Sequence, residues 1–209
     1  MATVLYLQAS PRGERSKSIQ AADAFLKAYK AGHPDDRIDT LNLFEADLPE
    51  FDGTATAAKF KIPNNQPATP EERKVWQEVE AVIERFKAAN KYVLASPMWN
   101  FSIPYRLKQY IDILVQPGYT FTIGDNGYEG LVTGKPLLGV YARGGAFPPG
   151  TPGEAYDLQI RYVEQIFRFM GFTTLHRLIV EPTLQEGEEV AKKALAAAVK
   201  QADTQAKTF

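Results

Sequence analysis

Three short segments of the sequence carry groups that could hold an anion and a flat ring. The first is residues 10–18, Ser10-Pro-Arg-Gly-Glu-Arg-Ser16-Lys17-Ser18, which follows a short apolar run. The second, Pro97-Met98-Trp99-Asn100-Phe101, combines a thioether, two aromatic rings and an amide. The third is Arg143-Gly144-Gly145, where two glycines allow the backbone to come close to a ligand. None of these segments matches the P-loop or the GxGxxG pattern, so neither an NTPase nor a Rossmann dinucleotide fold is supported.

The serine-rich segment precedes a predicted helix. Apolar residues recur on one helical face from Ile19 to Tyr29. The free N–H groups and the dipole of a helix start favour an anion, and the hydroxyls of Ser10, Ser16 and Ser18 add donors. Each serine alone could be only an N-cap or a turn residue. Three hydroxyls around one helix start favour a phosphate site.

The second segment connects a predicted strand with a predicted helix. Residues 92–96 are apolar or small, which is typical of a strand buried on both faces of a parallel sheet. Ser102 is expected to be the N-cap of the following helix, with Pro104 in its first turn. Because ligands of open parallel sheets bind beyond the carboxyl ends of the strands, this loop is well placed to hold a ring. Trp99 and Phe101 could also be ordinary packed aromatics.

The whole chain alternates apolar strand runs with amphipathic helices. The strand candidates are residues 3–9, 37–43, 92–96, 135–142 and 173–180. This pattern predicts an α/β fold over residues 1–209 as a single domain, a five-stranded doubly wound parallel sheet in the order 2-1-3-4-5 with helices on both faces. The three segments then follow strands 1, 3 and 4, which lie side by side. A ligand with a phosphate at the first segment, a flat ring against the second and the edge of that ring at the third would match FMN.

Other segments give more local predictions. Thr69-Pro-Glu-Glu72 is a capping box that opens a helix. Residues 44–68 show no sustained period and predict a long loop that is either functional or part of an interface. Residues 118–131 predict a hairpin, with Asn126-Gly127 at its turn.

The composition excludes several classes of function. A net charge of −1 gives no field that would favour nucleic acid or an anionic membrane surface. The absence of cysteine excludes disulfides and thiol chemistry, and two histidines far apart make a zinc site unexpected. No metal is therefore predicted, and redox chemistry would need a cofactor. No apolar run has the length of a signal peptide or a membrane span, so a cytoplasmic location is expected.

The three segments together with Leu107-Lys-Gln-Tyr-Ile-Asp112, Gly118-Tyr-Thr-Phe121 and residues 127–135 resemble the FMN-dependent NAD(P)H azoreductases. That family consists of flavodoxin-like homodimers that also reduce quinones. The resemblance implies that FMN phosphate is held by Ser10, Ser16, Lys17 and Ser18, and that the isoalloxazine ring is lined by Pro97, Met98, Trp99, Asn100 and Phe101. It also implies that the backbone of Ala142, Arg143, Gly144 and Gly145 meets the pyrimidine edge.

The sequence departs from the family at two positions. The family often has Ser before Arg-Gly-Gly and His two residues after it, whereas this chain has Ala142 and Phe147. The resemblance therefore implies a lost polar contact and a more apolar substrate pocket beside Phe147. It also implies that Tyr119 and Phe121 line the pocket of a partner subunit in a homodimer, although both could be ordinary dimer packing.

The implied activity is a ping-pong cycle in which NADH or NADPH reduces FMN and an azo compound or quinone then reoxidises it. The flavin N5 does the chemistry, so no catalytic side chain is expected. The sequence leaves open a quinone reductase with incidental azo activity. It also leaves open a flavodoxin-type electron carrier, although such carriers are usually shorter and more acidic, and a binding protein without flavin.

Overall fold

The computed structural model describes residues 1–125 and 127–209. Five parallel strands form its central sheet, and two further strands form a separate antiparallel hairpin. In chain order the strands are β1 (Thr3–Gln8), β2 (Arg37–Asn42), β3 (Lys91–Pro97), β4 (Phe121–Gly124), β5 (Gly127–Gly130), β6 (Pro136–Ala142) and β7 (Thr174–Val180). The sheet order is β2-β1-β3-β6-β7. Because β4 and β5 belong to the hairpin, this order is the predicted 2-1-3-4-5, and the flavodoxin-like fold is confirmed.

Helices cover both faces of this sheet. They are α1 (Lys17–Gly32), α2 (Gly53–Lys61), α3 (Pro70–Ala88), α4 (Tyr105–Leu114), α5 (Leu158–Phe169) and α6 (Glu188–Gln205). Residues of α1 and α6 form one hydrophobic cluster with the sheet, and residues of α3, α4 and α5 form the other. Along β3, Val93 faces the first cluster and Leu94 the second, with both side chains fully buried. The continuous apolar run of this strand therefore reflects burial on both faces. None of the described helices is long and apolar enough to cross a membrane.

Backbone pairing brings the three chemically interesting segments together. Gln8 at the end of β1 pairs with Ala95 of β3, and Pro97 at the end of β3 pairs with Ala142 at the end of β6. The loops that leave these three strands consequently start next to one another at the carboxyl edge of the sheet. This is the edge at which open α/β sheets bind ligands.

Helix starts were predicted with mixed success. The capping box is confirmed, since Thr69 Oγ1 accepts from Glu72 N at 3.2 Å and Glu72 Oε2 accepts from Thr69 N at 2.8 Å. The prediction that Ser102 caps α4 is wrong, because Pro104 occupies that position and the backbone of Ser102 pairs with Trp99 instead.

The prediction of an uninterrupted loop over residues 44–68 is also wrong, because this segment contains α2. Asp52 caps that helix by accepting from Thr54 N at 2.9 Å and Ala55 N at 3.0 Å. The segment lacks a clear period because α2 buries only two small residues, Ala55 and Ala58.

The predicted hairpin is present as β4 and β5, whereas Asn126, predicted at its turn, lies outside the described residues. The hairpin packs against the end of α5, where the Phe121 and Phe169 ring centroids are 4.7 Å apart. Gly130 lies directly on the backbone of Gly171, so that an added Cβ would stand 2.2 Å from Gly171 N. No side chain other than hydrogen fits at this contact.

We therefore expect Gly130→Ala to lower the free energy of unfolding by about 1–3 kcal/mol, because the new methyl group meets backbone that cannot move independently. Urea titration followed by circular dichroism measures this difference. Gly32→Ala is the matched control, since its added Cβ would have no neighbour within 4 Å and alanine favours a helix. Equal stability of the two variants would contradict the close packing of the hairpin.

Candidate active site

The serine-rich loop carries three buried hydroxyl groups between the end of β1 and the first turn of α1. Ser10, Ser16 and Ser18 are buried, with exposures of 1%, 3% and 0%. The Oγ atoms of Ser16 and Ser18 are 3.1 Å apart, and Arg12 N donates to Ser10 Oγ at 3.4 Å. The structure thus brings the Ser16 and Ser18 hydroxyls together and buries the Ser10 hydroxyl shortly after β1.

The N-terminal N–H groups of α1 also remain available to a ligand. Ser16 is the N-cap, but within the described part of the chain its side chain makes no capping hydrogen bond. The first N–H groups of a helix have no intrahelical partner, so those of Lys17 and Ser18 are free to bind an anion. The ammonium group of Lys17 donates to Gln20 Oε1 at 3.4 Å, one turn along the same helix. The predicted contact of Lys17 with a phosphate stays a prediction.

The segment after β3 makes a tight turn. Met98 N donates to Ala142 O at 2.8 Å, and Trp99 and Ser102 exchange two backbone hydrogen bonds of 3.0 and 2.9 Å. Asn100 and Phe101, between them, have φ values of +48° and +67°. This left-handed conformation is unfavourable for residues other than glycine, and such positions cluster at functional sites. The turn leaves Trp99, Asn100 and Phe101 exposed at the sheet edge.

Aromatic residues flank this turn on two sides, one formed by Phe44 and Tyr105 and the other by Phe147 and Tyr156. On one side, the Phe44 ring lies 5.8 Å from the Trp99 ring and 5.7 Å from the Tyr105 ring, between centroids. Trp99 and Tyr105 also border an open groove of about 970 Å³ between α4, α5 and residues 50–52, which precede α2. Tyr162 lines the same groove, and burial, with Asp112 nearby, raises its pKa to about 12. Its phenol is therefore protonated at neutral pH and can donate a hydrogen bond.

The backbone after β6 presents two N–H groups to the sheet edge. The carbonyl oxygen of Arg143 accepts from both the N–H and the hydroxyl of Thr183 at 2.9 Å. The carbonyl oxygen of Gly144 accepts from Leu184 N at 3.1 Å and Gln185 N at 3.0 Å. In a trans peptide the N–H group points opposite to the carbonyl. The N–H groups of Gly144 and Gly145 therefore point away from the 183–185 loop.

Two other members of the predicted cofactor edge use their backbone groups within the protein. Ala142 O accepts from Met98 N, and Arg143 N donates to Val180 O at 3.0 Å. Gly144 and Gly145 are therefore the two residues of this edge whose N–H groups can donate to a flavin. The contact of all four residues with a flavin edge stays a prediction.

The Arg143 side chain is buried beneath this loop and is only 2% exposed. Its Nη1 pairs with Asp157 Oδ2, and its Nη2 lies 2.8 Å from Glu181 Oε2. Asp157 caps α5 by accepting from Ile160 N at 3.0 Å. The guanidinium charge is thus compensated by two carboxylates, and its position indicates a structural role.

Phe147 forms an aromatic wall with two neighbours. Its ring lies edge-on to Phe101, with centroids 6.2 Å apart, and Phe101 in turn lies 5.1 Å from Tyr156. The Phe147 ring also covers the Arg143 guanidinium at 5.4 Å. The structure therefore brings Phe147 next to the predicted ring-binding turn. Tyr156 was not predicted, because it ends a short 3₁₀ helix (Pro152–Tyr156) in a glycine-rich and proline-rich segment that gave no periodic signal.

Tyr119 and Phe121 lie elsewhere in the protomer. Tyr119 accepts a hydrogen bond from Trp76 Nε1 at 3.1 Å and donates one to Glu80 Oε1 at 2.5 Å. Burial, and then the Glu80 bond, raises the pKa of Tyr119. Phe121 packs on the C-terminal end of α5, whereas Leu158 N, at the N-terminal end, donates to Phe101 O. A helix of this length spans about 18 Å, so Phe121 does not line the aromatic wall beside Phe101 in the same chain.

Comparisons with known proteins agree with this arrangement. A family described as having the flavodoxin-like fold matches residues 2–206. The FMN-dependent NADH:quinone oxidoreductase of Nitratidesulfovibrio vulgaris (strain DP4) is 52% identical over 209 residues, which cover 100% of both chains. The protein of the same name from Desulfotalea psychrophila is 44% identical over 187 residues, covering 89% of this chain and 88% of the relative.

Solved structures give the same result. The azoreductase from Bacillus anthracis str. Sterne superimposes with a TM-score of 0.93 at 30% identity and covers 100% of both chains. An FMN-dependent NADH-azoreductase from Bacillus anthracis str. Ames Ancestor, solved in complex with FMN, gives a TM-score of 0.87 at 29% identity, covering 99% of this chain and 100% of the other. The chain therefore belongs to the flavodoxin-like family that contains these FMN-dependent NADH:quinone oxidoreductases and azoreductases.

Proposed function

We propose that this protein is an FMN-dependent oxidoreductase that takes electrons from NADH and reduces quinones and azo compounds. One observation carries the proposal. The serine hydroxyls between β1 and the first turn of α1, the turn at residues 98–101 and the N–H groups of Gly144 and Gly145 follow three adjacent strands. Relatives named for FMN, NADH and quinone share its full length, which supports the same activity here.

The residues at the sheet edge fit FMN. Its phosphate needs several hydrogen-bond donors. The hydroxyls of Ser10, Ser16 and Ser18 and the first N–H groups of α1 can provide them. Its isoalloxazine ring is flat and mostly apolar, and Met98, Trp99 and Phe101 offer such a surface. These assignments are part of the proposal.

FMN, when bound, would accept a hydride at N5 from the nicotinamide and pass the electrons to the acceptor. The protein contributes orientation and electrostatics. The N–H groups of Gly144 and Gly145, whose opposite carbonyls are fixed by the 183–185 loop, can donate to the ring edge where negative charge accumulates on reduction. Arg143 does not act there directly, since its guanidinium group is bound to Asp157 and Glu181.

The acceptor side of the site is apolar. Phe101, Phe147 and Tyr156 form an aromatic wall at the turn, and Leu158 is half exposed beside it. Flat uncharged quinones would bury ring surface against this wall, whereas a sulfonated azo dye would bring charge into it. We therefore place quinones before sulfonated azo dyes as substrates.

We further propose that the protein is a homodimer that buries the groove between residues 50–52, α4 and α5. Trp99 is 36% exposed and Tyr105 is 64% exposed at this groove, so that aromatic surface is open to solvent in one protomer. Such patches commonly mark interfaces. In such a dimer, Tyr119 and Phe121 would line the partner subunit's pocket, as the resemblance to the azoreductases implies.

The first test is a visible spectrum of the purified protein with added FMN under anaerobic conditions. We expect bound flavin absorption that bleaches with NADH and returns when a quinone is added. Repeating the reduction with NADPH measures the donor preference. Bleaching without quinone-dependent recovery would contradict the reductase, and flavin binding without bleaching would indicate an electron carrier.

The phosphate site is tested by the double substitution Ser16→Ala with Ser18→Ala. Removing two hydroxyl donors to a charged group should weaken FMN binding by roughly tenfold or more. Quenching of flavin fluorescence during titration of the apoprotein measures the dissociation constant. Ser102→Ala is the control, because the backbone rather than the hydroxyl of Ser102 pairs with Trp99. Similar dissociation constants for the double variant and the control would place the phosphate elsewhere.

The dimer is tested by Tyr105→Asp, which puts a charge on the exposed groove. We expect this variant to dissociate into protomers at concentrations where the unsubstituted protein sediments as a dimer, because burying the carboxylate is costly. Analytical ultracentrifugation measures the shift. Gln201→Asp, an exposed change on α6 across the sheet, introduces the same charge and should leave the dimer intact. Dissociation by both variants, or by neither, would place the interface elsewhere.

A further inference from the structure

A single carboxylate oxygen connects the buried Arg143 side chain to the aromatic wall. Glu181 Oε2 lies 2.8 Å from Arg143 Nη2 and accepts a hydrogen bond from Phe147 N at 3.0 Å. Glu181 directly follows β7, whereas Phe147 belongs to the loop after β6. Glu181 Oε2 therefore connects the segments that follow two neighbouring strands, β6 and β7.

The surroundings of this oxygen fix Phe147 from several directions. Arg143 is held from its other side by Asp157, the N-cap of α5, and its guanidinium group lies under the Phe147 ring at 5.4 Å. The ring then meets Phe101 edge-on, at 6.2 Å between centroids and 83° between planes. Phe147 is thus oriented by its backbone N–H group, by a cation beneath its ring and by one aromatic neighbour.

In the described part of the chain, the other hydrogen bonds of residues 146–150 are local, since Pro148 O accepts from Thr151 and Gly150 N donates to Glu154 Oε2 at 2.7 Å. Residues 146 and 148–150 are exposed and form no regular secondary structure. A short irregular loop of this kind samples several conformations unless polar contacts restrict it. The hydrogen bond from Phe147 N to Glu181 Oε2 instead joins this loop to a residue 34 positions along the chain.

We propose that Glu181 is a positioning residue for the acceptor pocket, where it holds Phe147 in place so that a flat, apolar two-ring quinone can pack against the wall. The inference rests on the proposed function, because it assigns Phe147 to the acceptor side of the same site. Glu181 itself touches neither the acceptor nor the serine hydroxyls. Its effect passes through the position of Phe147.

The test uses Glu181→Ala, Phe147→Ala and the variant with both changes, each with FMN bound. For a naphthoquinone, Glu181→Ala should raise KM on the order of tenfold while the rate of flavin bleaching by NADH changes less than about twofold. The double variant should have the KM of Phe147→Ala, because Glu181 acts through that ring. If the fold increases in KM of the two single variants multiply in the double variant, the proposal is overturned.

Two further variants separate positioning from general destabilisation. Glu164→Ala removes a carboxylate from another arginine pair, with Arg177 on β7, and should leave the quinone KM unchanged. Glu181→Gln keeps an oxygen that can accept from Phe147 N, so it should raise KM less than Glu181→Ala does. A rise in KM with Glu164→Ala, or equal KM values for the two Glu181 variants, would contradict the role of the Phe147 hydrogen bond.

A measurement without turnover distinguishes failure of this inference from failure of the proposed function. Hydrogen–deuterium exchange of the FMN-free protein should be faster across residues 144–150 in Glu181→Ala than in the unsubstituted chain or in Glu164→Ala. Unchanged exchange would overturn the positioning role even if the protein reduces quinones. Faster exchange would support it even if NADH failed to bleach the flavin, which would refute the proposed function alone.

Discussion

The candidate site depends on the pairing of three parallel strands at their carboxyl ends. β1, β3 and β6 end side by side, and Met98 N continues the pairing by donating to Ala142 O at 2.8 Å beyond the last paired residues of the sheet. Each loop therefore starts from a fixed position, and short loops have little freedom to separate. The sheet therefore brings together three groups that are distant in sequence. They are the start of α1, the aromatic turn at residues 98–101 and the N–H groups of Gly144 and Gly145.

This dependence explains why much of the site could be predicted from the sequence. Buried parallel strands such as residues 92–96 have a continuous apolar run, and helices such as α3 carry a capping box, so the order of elements was readable. The 2-1-3-4-5 order then predicted that the three loops lie next to one another.

The features that the sequence did not predict depend on single side chains. The helix α2 buries only two alanines, and Ser102, a suitable cap, was displaced because the turn at Asn100 uses its backbone.

The role of Arg143 shows a different limit of sequence analysis. Next to two glycines it could equally have pointed to a ligand or into the protein, since an arginine side chain reaches several ångströms in either direction. Its partners, Asp157 and Glu181, come from the start of α5 and the end of β7. Neither residue had a motif of its own. Only the fold brings them to the same guanidinium group, and they show that its charge is paired inside the protein.

Burying three charges under an active-site loop requires a physical reason, because an apolar cluster of similar volume is often as stable or more stable. Arginine has five N–H donors in a fixed plane, so one side chain can hold two carboxylates that still accept hydrogen bonds from backbone N–H groups. Asp157 uses this capacity to cap α5, and Glu181 uses it to hold Phe147. A leucine or methionine at position 143 could fill the space but could not direct these bonds. The charges therefore give the loop a defined position rather than additional stability, and a flat acceptor needs a defined position when it must stack against an aromatic wall.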